Sequence, residues 1–353
     1  QASVATEDAQ STCSPLQKIY LCQTIIFVCM NKRCIAIYCF LLLSFSVYAQ
    51  KTKAIIGGEI NAFEFSSTKS AIVSKAAVVS AHPLASAVGA AIMKRGGNAY
   101  DAIIATQLVL AVVYPNAGNI GGGGFLLSRS AGGELIAIDY REKAPAAASR
   151  DMYLDEKGNA QNILSESGHL SCGVPGTVAG LFATLPYAKL PFKQLIQPAI
   201  DLAEKGYALT EREAKSFNEL HNDFSTYSTM PSAFTKKAEW KAGDKFIQTE
   251  LANTLKRIRD KGAAGFYEGE TARLIVAEMK RAKGIITLED LKKYTAKKRS
   301  AIQFDYRGYT VIGFPPPSSG GILLGQMLKM VEKFPLSSFG FQSKQSVQLM
   351  IEA

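Results

Sequence analysis

The sequence predicts a mixed α+β fold in which helix dominates, and three observations carry that expectation. Two pairs of short apolar runs bracket turn residues, Phe125–Ser128 with Leu135–Tyr140 and Ala301–Phe304 with Tyr309–Gly313, as hairpins do. From Thr177 to Lys333 apolar residues recur at helical spacing between glycine stops. Tyr100–Val113 is apolar nearly all round, the pattern of a helix buried in a core. The 353 residues, 47% apolar and 20% charged, supply ample core for a globular protein, two domains by length alone.

Taken in order, Ala76–Ser80 is a short β-like run. Leu84–Arg95 places Leu84, Val88, Ala91 and Ile92 at helical spacing, and Gly96-Gly97 ends it. Asn98 is the expected cap of the Tyr100–Val113 helix, with Asp101 in its first turn and Pro115 as its stop. The glycine run Gly121–Gly124 follows. It lacks a Gly-Lys-Ser/Thr ending and enters a strand, so it does not read as a phosphate cradle. Packing against a neighbouring backbone or shaping a pocket wall is the expectation. Ser130–Gly133 reads as the turn between the first two strands. Arg141 lies just beyond the second strand. A guanidinium held there would clamp a carboxylate with two parallel hydrogen bonds, or serve in a structural salt bridge with Glu142 or another acid. The residues alone do not choose between these two readings.

Thr177–Leu185 and Phe192–Lys205 read as helices, the second ended by Gly206. Residues 221–245 are polar and mixed, as in a surface excursion. Thr249 is the expected cap of Leu251–Lys261, which Gly262 ends; Glu268–Ala282 follows, ended by Gly284. Thr287 and Asp290 have capping-box spacing. Lys292, Lys293, Lys297, Lys298 and Arg299 read as a solvated face. Pro315-Pro316-Pro317 stiffens the exit from the second hairpin. Ser318 and Ser319 lack a Gly-x-Ser-x-Gly elbow and read as caps for the helix Ile322–Lys333. Lys344–Ala353 sets Val347, Met350 and Ile351 on one face with no stop signal, and reads as a helix cut through.

The first fifty residues form a separate problem. Met30-Asn31-Lys32-Arg33 is a basic head, Cys34–Tyr48 is almost wholly apolar, and Val47-Tyr48-Ala49 ends in small residues. Residues 30–49 therefore read as a secretory signal peptide cleaved after Ala49, with Gln50 opening the exported protein, and residues 1–29 as upstream sequence. The rival reading is one membrane anchor from Ile19 to Ala49, interrupted by Asn31, Lys32 and Arg33. Export to the periplasm or cell exterior is expected. Five of the six cysteines precede the cut, and Cys172 alone remains, enough for neither an internal disulfide nor a zinc site. A buried, inert thiol is expected there. A formal charge of +10 is spread over many lysines, and no arginine–aromatic block suggests a nucleic-acid groove. His82, His169 and His221 share no metal-ligand spacing, so no metal or cofactor is expected. These residues alone support only a secreted globular protein of mixed α and β structure.

Four motifs in order add more. AGNIGGGGF at 117–125, DYREKAP at 139–145, PGTVAG at 175–180 and DYRGYTVIGFPPPSSGG at 305–321 resemble the γ-glutamyltranspeptidases, from about Lys75 to the last residue. The resemblance implies an N-terminal-nucleophile hydrolase with an αββα four-layer sandwich. Residues 50–353 would be part of its large-subunit region, incomplete and mostly helical. It implies a proenzyme that cuts itself before a threonine, whose hydroxyl becomes the nucleophile and whose amine the base. That threonine would lie beyond Ala353, leaving no catalytic residue in this chain and the fragment inactive. The implied substrates are glutathione and other γ-glutamyl compounds, with water or an amino acid or dipeptide as acceptor. The implied partner is the protein's own small subunit. Arg141 is the substrate-binding residue the motif transfers; Tyr140 and Lys143 vary from its common versions. Asp139 and Glu142 are candidates to orient the guanidinium. A related acylase acting on a cephalosporin or γ-linked polymer remains open at this point, as does a non-catalytic secreted binding protein.

Overall fold

Asn98 and Asp101 cap each other, and the helix they open is the axis of the core. In the computed structural model, which describes residues 73–353, the Asn98 side-chain oxygen accepts the backbone N–H groups of Tyr100 and Asp101 at 2.9 and 3.1 Å. The Asp101 carboxylate returns the bond to Asn98 N–H at 2.7 Å. Asp101 is fully buried, and it also accepts from the backbones of Lys189 and Leu190, which answers the cost of burying its charge. The expectations for residues 1–29 and 30–49 lie outside the described residues.

Helix α1 (Pro83–Lys94), capped by the His82 ring, packs along α2 (Ala99–Val113). Ile104, Leu108, Val109 and Val112 of α2 are wholly inaccessible to solvent, as an all-apolar helix requires. Ala76–Ser80 is not a strand. It has β-forming residues, but among the described residues no strand pairs with it.

Strands β1 (Phe125–Arg129) and β2 (Leu135–Asp139) form the first hairpin, antiparallel with Phe125 opposite Asp139. Then come α3 (Asn162–Glu166), α4 (Thr177–Thr184) and α5 (Phe192–Lys205), with α5 packed on α2. Next are β3 (Tyr207–Ala208), α6 (Glu211–Glu219), α7 (His221–Tyr227) and β4 (Lys245–Phe246). Helices α8 (Thr249–Lys261), α9 (Ala264–Tyr267), α10 (Gly269–Arg281) and α11 (Leu288–Lys293) complete the helical body.

The chain then returns as β5 (Lys297–Arg299), which adds to the outer edge of β2 for a sheet order β1-β2-β5. A second hairpin follows, β6 (Ile302–Tyr306) and β7 (Tyr309–Gly313). Helices α12 (Gly320–Val331), α13 (Leu336–Phe339) and α14 (Lys344–Glu352) end the chain. The class is mixed α and β with helix dominating, as the sequence implies.

Several local expectations need correction. Residues 221–245 do not simply run over the surface. Trp240 is only 5% exposed, donates its indole N–H to Phe234 O at 2.9 Å and packs on Phe217 and Phe246. A few aromatics anchor an otherwise polar stretch. Thr249 is the first residue of α8 and not its cap. Gln248 precedes it, and the Gln248 amide bonds to Val112 O at 2.7 Å instead of capping. The five basic residues Lys292, Lys293, Lys297, Lys298 and Arg299 are all exposed, as expected of a solvated face, but the last three are a strand and not loose chain. Helix α12 starts at Gly320. Ser319 makes no side-chain cap bond, while Ser318 Oγ accepts Gly320 N–H at 3.3 Å. Cys172 is exposed, with its Sγ 3.6 Å from Gly168 O. It follows a single 3-10 turn, His169–Ser171.

Candidate substrate-binding site

The glycine run is the floor of a rigid seat. Asn119 Oδ1 accepts Gly122 N–H at 2.8 Å and the Thr177 hydroxyl at 2.6 Å. Gly122 O accepts the N–H groups of Gly176 and Thr177 at 2.7 and 3.0 Å. Two of the sequence motifs, 117–125 and 175–180, are thereby bonded to each other. The third passes between them. Tyr140 exchanges backbone bonds with Gly124, extending the β1–β2 ladder to its last possible rung. A Cβ on Gly123 would lie 2.6 Å from Tyr140 O and 2.8 Å from Arg141 Cα, so only glycine lets the run lie against this backbone. The Tyr140 ring is buried against Gly124 and Gly180, and burial pushes its phenol pKa up. The expectation of close backbone packing is met.

Arg141 emerges from this seat with its backbone fixed on both sides. Its N–H donates to Asp139 Oδ1 at 3.1 Å. Its carbonyl accepts the Tyr294 hydroxyl at 2.6 Å. Tyr294 stacks on Tyr267 with rings 3° from parallel, and Tyr267 donates to Pro175 O at 2.9 Å, which ties this contact to the helical body. Burial, aided by the nearby Asp139 and Glu142 carboxylates, raises the Tyr294 phenol pKa, so the hydroxyl stays a donor at neutral pH. Lys143 Nζ donates to Thr295 O at 2.8 Å and lies 4.6 Å from the centre of the Tyr294 ring.

The Arg141 side chain is exposed, and its guanidinium carbon stands 6.0 Å from the centre of the Phe125 ring, which packs on Phe314 at 4.4 Å. Among the described residues no carboxylate forms an ion pair with it. A salt bridge to Glu142 is therefore not what this arginine does. The role expected of Asp139 also needs correction: it binds the Arg141 backbone and not the guanidinium. Its second oxygen is taken by Arg299, through Nε at 3.1 Å and Nη2 at 2.7 Å. Arg299 and Tyr294 were not singled out by sequence reasoning. Arg299 was visible only as one of five basic residues, and Tyr294 carried no local signal.

The three histidines are not brought together. His82 accepts Leu84 N–H through Nδ1 and meets Glu213 through Nε2 at 3.1 Å. His169 meets Glu278 at 2.8 Å, and His221 opens α7.

The comparisons with known proteins agree with the four motifs. The family model described as Gamma-glutamyltranspeptidase matches residues 85–353. A glutathione hydrolase proenzyme of Pseudomonas sp. (strain A14) is 44% identical over 279 residues, which are 78% of this chain and 48% of that protein. The glutathione hydrolase proenzyme of Escherichia coli (strain K12) is 43% identical over 279 residues, again 78% of this chain and 48% of that protein. The crystal structure of Helicobacter pylori γ-glutamyltranspeptidase superposes with a TM-score of 0.77 at 44% identity, covering 80% of this chain and 82% of that one. This chain spans about half the length of the curated relatives it matches. Motifs, fold and sequence identity coincide over the same residues, and the chain belongs to the γ-glutamyltranspeptidase family.

Proposed function

We propose that this protein acts in γ-glutamyl transfer, from glutathione and other γ-glutamyl compounds to water or to an amino-acid or peptide acceptor, and that Arg141 holds the α-carboxylate of the γ-glutamyl group. The observation that carries the reading is a guanidinium with no acid partner among the described residues, on a backbone hydrogen-bonded at both N–H and C=O. A guanidinium presented in this way suits a ligand carboxylate, because its fork matches both oxygens.

The chemistry the family resemblance implies needs a nucleophile from outside residues 1–353, an N-terminal threonine released by self-cleavage. Its hydroxyl oxygen adds to the γ-amide carbon, and its amine takes the hydroxyl proton. The C–N bond of the amide breaks, and the leaving amine receives that proton. Water or an acceptor amine then attacks the carbonyl of the resulting ester, the C–O bond to threonine breaks, and the proton lost by the attacking group returns to the threonine hydroxyl. In this reading the partner of residues 50–353 is the protein's own small subunit, and residues 30–49 direct export to the periplasm or exterior. The α-carboxylate takes no part in bond making. It stays bound through both steps, so Arg141 contributes uniform binding and its loss is read in KM.

The test uses the whole processed protein. Arg141→Ala is expected to raise KM for γ-glutamyl-p-nitroanilide by the equivalent of about 2–5 kcal/mol, with a smaller change in kcat, and Arg141→Lys to recover part of the loss. A substrate lacking the α-carboxylate should show no such penalty. A cephalosporin-type amide serves as a further arm, and preferential turnover of it would overturn the γ-glutamyl reading. An unchanged KM in Arg141→Ala would remove Arg141 from the site.

A further inference from the structure

A carboxylate close to Arg141 in the chain is already occupied by another arginine. Asp139 lies two residues before Arg141, with one oxygen on the Arg141 N–H. An aspartate so near is the natural captor of a guanidinium. Its charge is instead met by Arg299, which donates both Nε and Nη2 to the other oxygen. The Asp139 side chain is 9% exposed and that of Arg299 35%, so the pair is partly shielded from water and salt. Strand pairing sets it up. β5 docks on β2 with Ala137 opposite Arg299 and Asp139 opposite Lys297, which brings the Arg299 side chain to Asp139 at the end of the strand. Tyr294, three residues before β5, holds the Arg141 carbonyl from the other side.

We infer that Asp139, Arg299 and Tyr294 are positioning residues for the proposed substrate arginine: Asp139 and Tyr294 fix its backbone, and Arg299 occupies the Asp139 charge that would otherwise draw the Arg141 guanidinium away from substrate. The inference rests on the reading of Arg141 as the carboxylate-binding residue. It assigns a function to β5, whose three residues are all exposed and supply little to the core.

The experiment is a double-mutant cycle in the whole processed protein, read as KM and kcat on γ-glutamyl-p-nitroanilide and on an analogue without the α-carboxylate. Arg299→Ala frees the Asp139 carboxylate to pair with Arg141, and should raise KM for the carboxylate-bearing substrate by about 10-fold with kcat little changed. The analogue should be unaffected. Asp139→Asn keeps a side-chain oxygen for the Arg141 N–H and removes the competing charge. The pair Asp139→Asn with Arg299→Ala should therefore bring KM back to within about 3-fold of wild type. Tyr294→Phe should raise KM by about 3-fold on the same substrate only, the loss of one hydrogen bond.

A purely structural role for Arg299 predicts the opposite pattern, equal losses on both substrates and no relief from Asp139→Asn, and that result overturns the inference. If Arg299→Ala does not accumulate as processed protein, Arg299→Lys decides. It keeps a cation on Asp139, so KM should stay within about 3-fold of wild type with discrimination intact; loss of discrimination overturns the proposal. Arg141→Ala measured in parallel separates the two levels. If it leaves discrimination for the α-carboxylate unchanged, the underlying reading fails and the inference with it. If it abolishes discrimination while Arg299→Ala does not, only the positioning inference fails.

Discussion

Around Glu278, three side chains converge on one carboxylate, whereas at the end of β2 the guanidinium of Arg141 meets no acid among the described residues. At the first corner His169 donates at 2.8 Å, the Thr229 hydroxyl lies 2.7 Å from both oxygens, and the Arg281 guanidinium closes on the second oxygen. Burial alone would raise this carboxyl. The bonds from Thr229, His169 and Arg281 outweigh it and hold the pKa at about 2. At the second corner the hydrogen bonds go to the backbone of Arg141, and the one group left over is a charge. A polar cluster that satisfies all its own charges clamps parts of the chain together, here the turn before Cys172, residue 229 and α10. A cluster that fixes a backbone and leaves a charge unanswered presents that charge to something else.

Three variants sharpen or break this contrast, ordered by their expected effect on stability. Gly123→Ala forces a methyl group against Tyr140 O and Arg141 Cα, and should destabilise by about 1–3 kcal/mol in urea titration while also raising KM. Wild-type stability together with wild-type KM would mean that the Arg141 seat is not rigid. Glu278→Gln should cost about 1–2 kcal/mol with KM unchanged, because it weakens charge-assisted bonds to His169, Thr229 and Arg281, none of which bonds to Arg141. The pH dependence gives the sign. The folded value of Glu278, about 2, lies below the ordinary 4.5, so its contribution is complete above about pH 4.5 and is lost as pH falls toward 2. The stability gap between wild type and Glu278→Gln should close over that window, and a gap that persists at the acid end would show that the lost charge is not its cause. Arg141→Ala should change stability by less than about 0.5 kcal/mol in spite of its effect on KM, since no carboxylate among the described residues depends on it. A large loss of stability there would make Arg141 structural, like Arg281.

A second contrast concerns burial. Helices α2 and α12 are both rich in apolar residues. Leu108 and Val112 of α2 are fully enclosed, while Leu323 and Met330 of α12 are 49% and 58% exposed. Composition reads the same in both; only what lies alongside each helix separates them. The same limit explains Trp240, whose burial depends on Phe217 and Phe246.

What the sequence determined by itself was local. Asn98 caps its helix as expected, and Thr287 with Asp290 forms the capping box its spacing predicts. The β1–β2 and β6–β7 hairpins were readable from short apolar runs around turn residues, and the four motifs carried the family. What only the tertiary structure decided was long-range. Arg299 reaches Asp139 across 160 positions, and Tyr294 reaches Arg141 across 153. Lys297–Arg299 is polar and short, so by its own residues it reads as solvated chain. It becomes a strand because the edge of β2 stands open beside it with unpaired N–H and C=O groups. Capping and turn formation involve groups within a few bonds of one another, which residue spacing encodes. Which arginine meets Asp139 and which does not depends on how a distant edge docks, and no spacing along the chain records that.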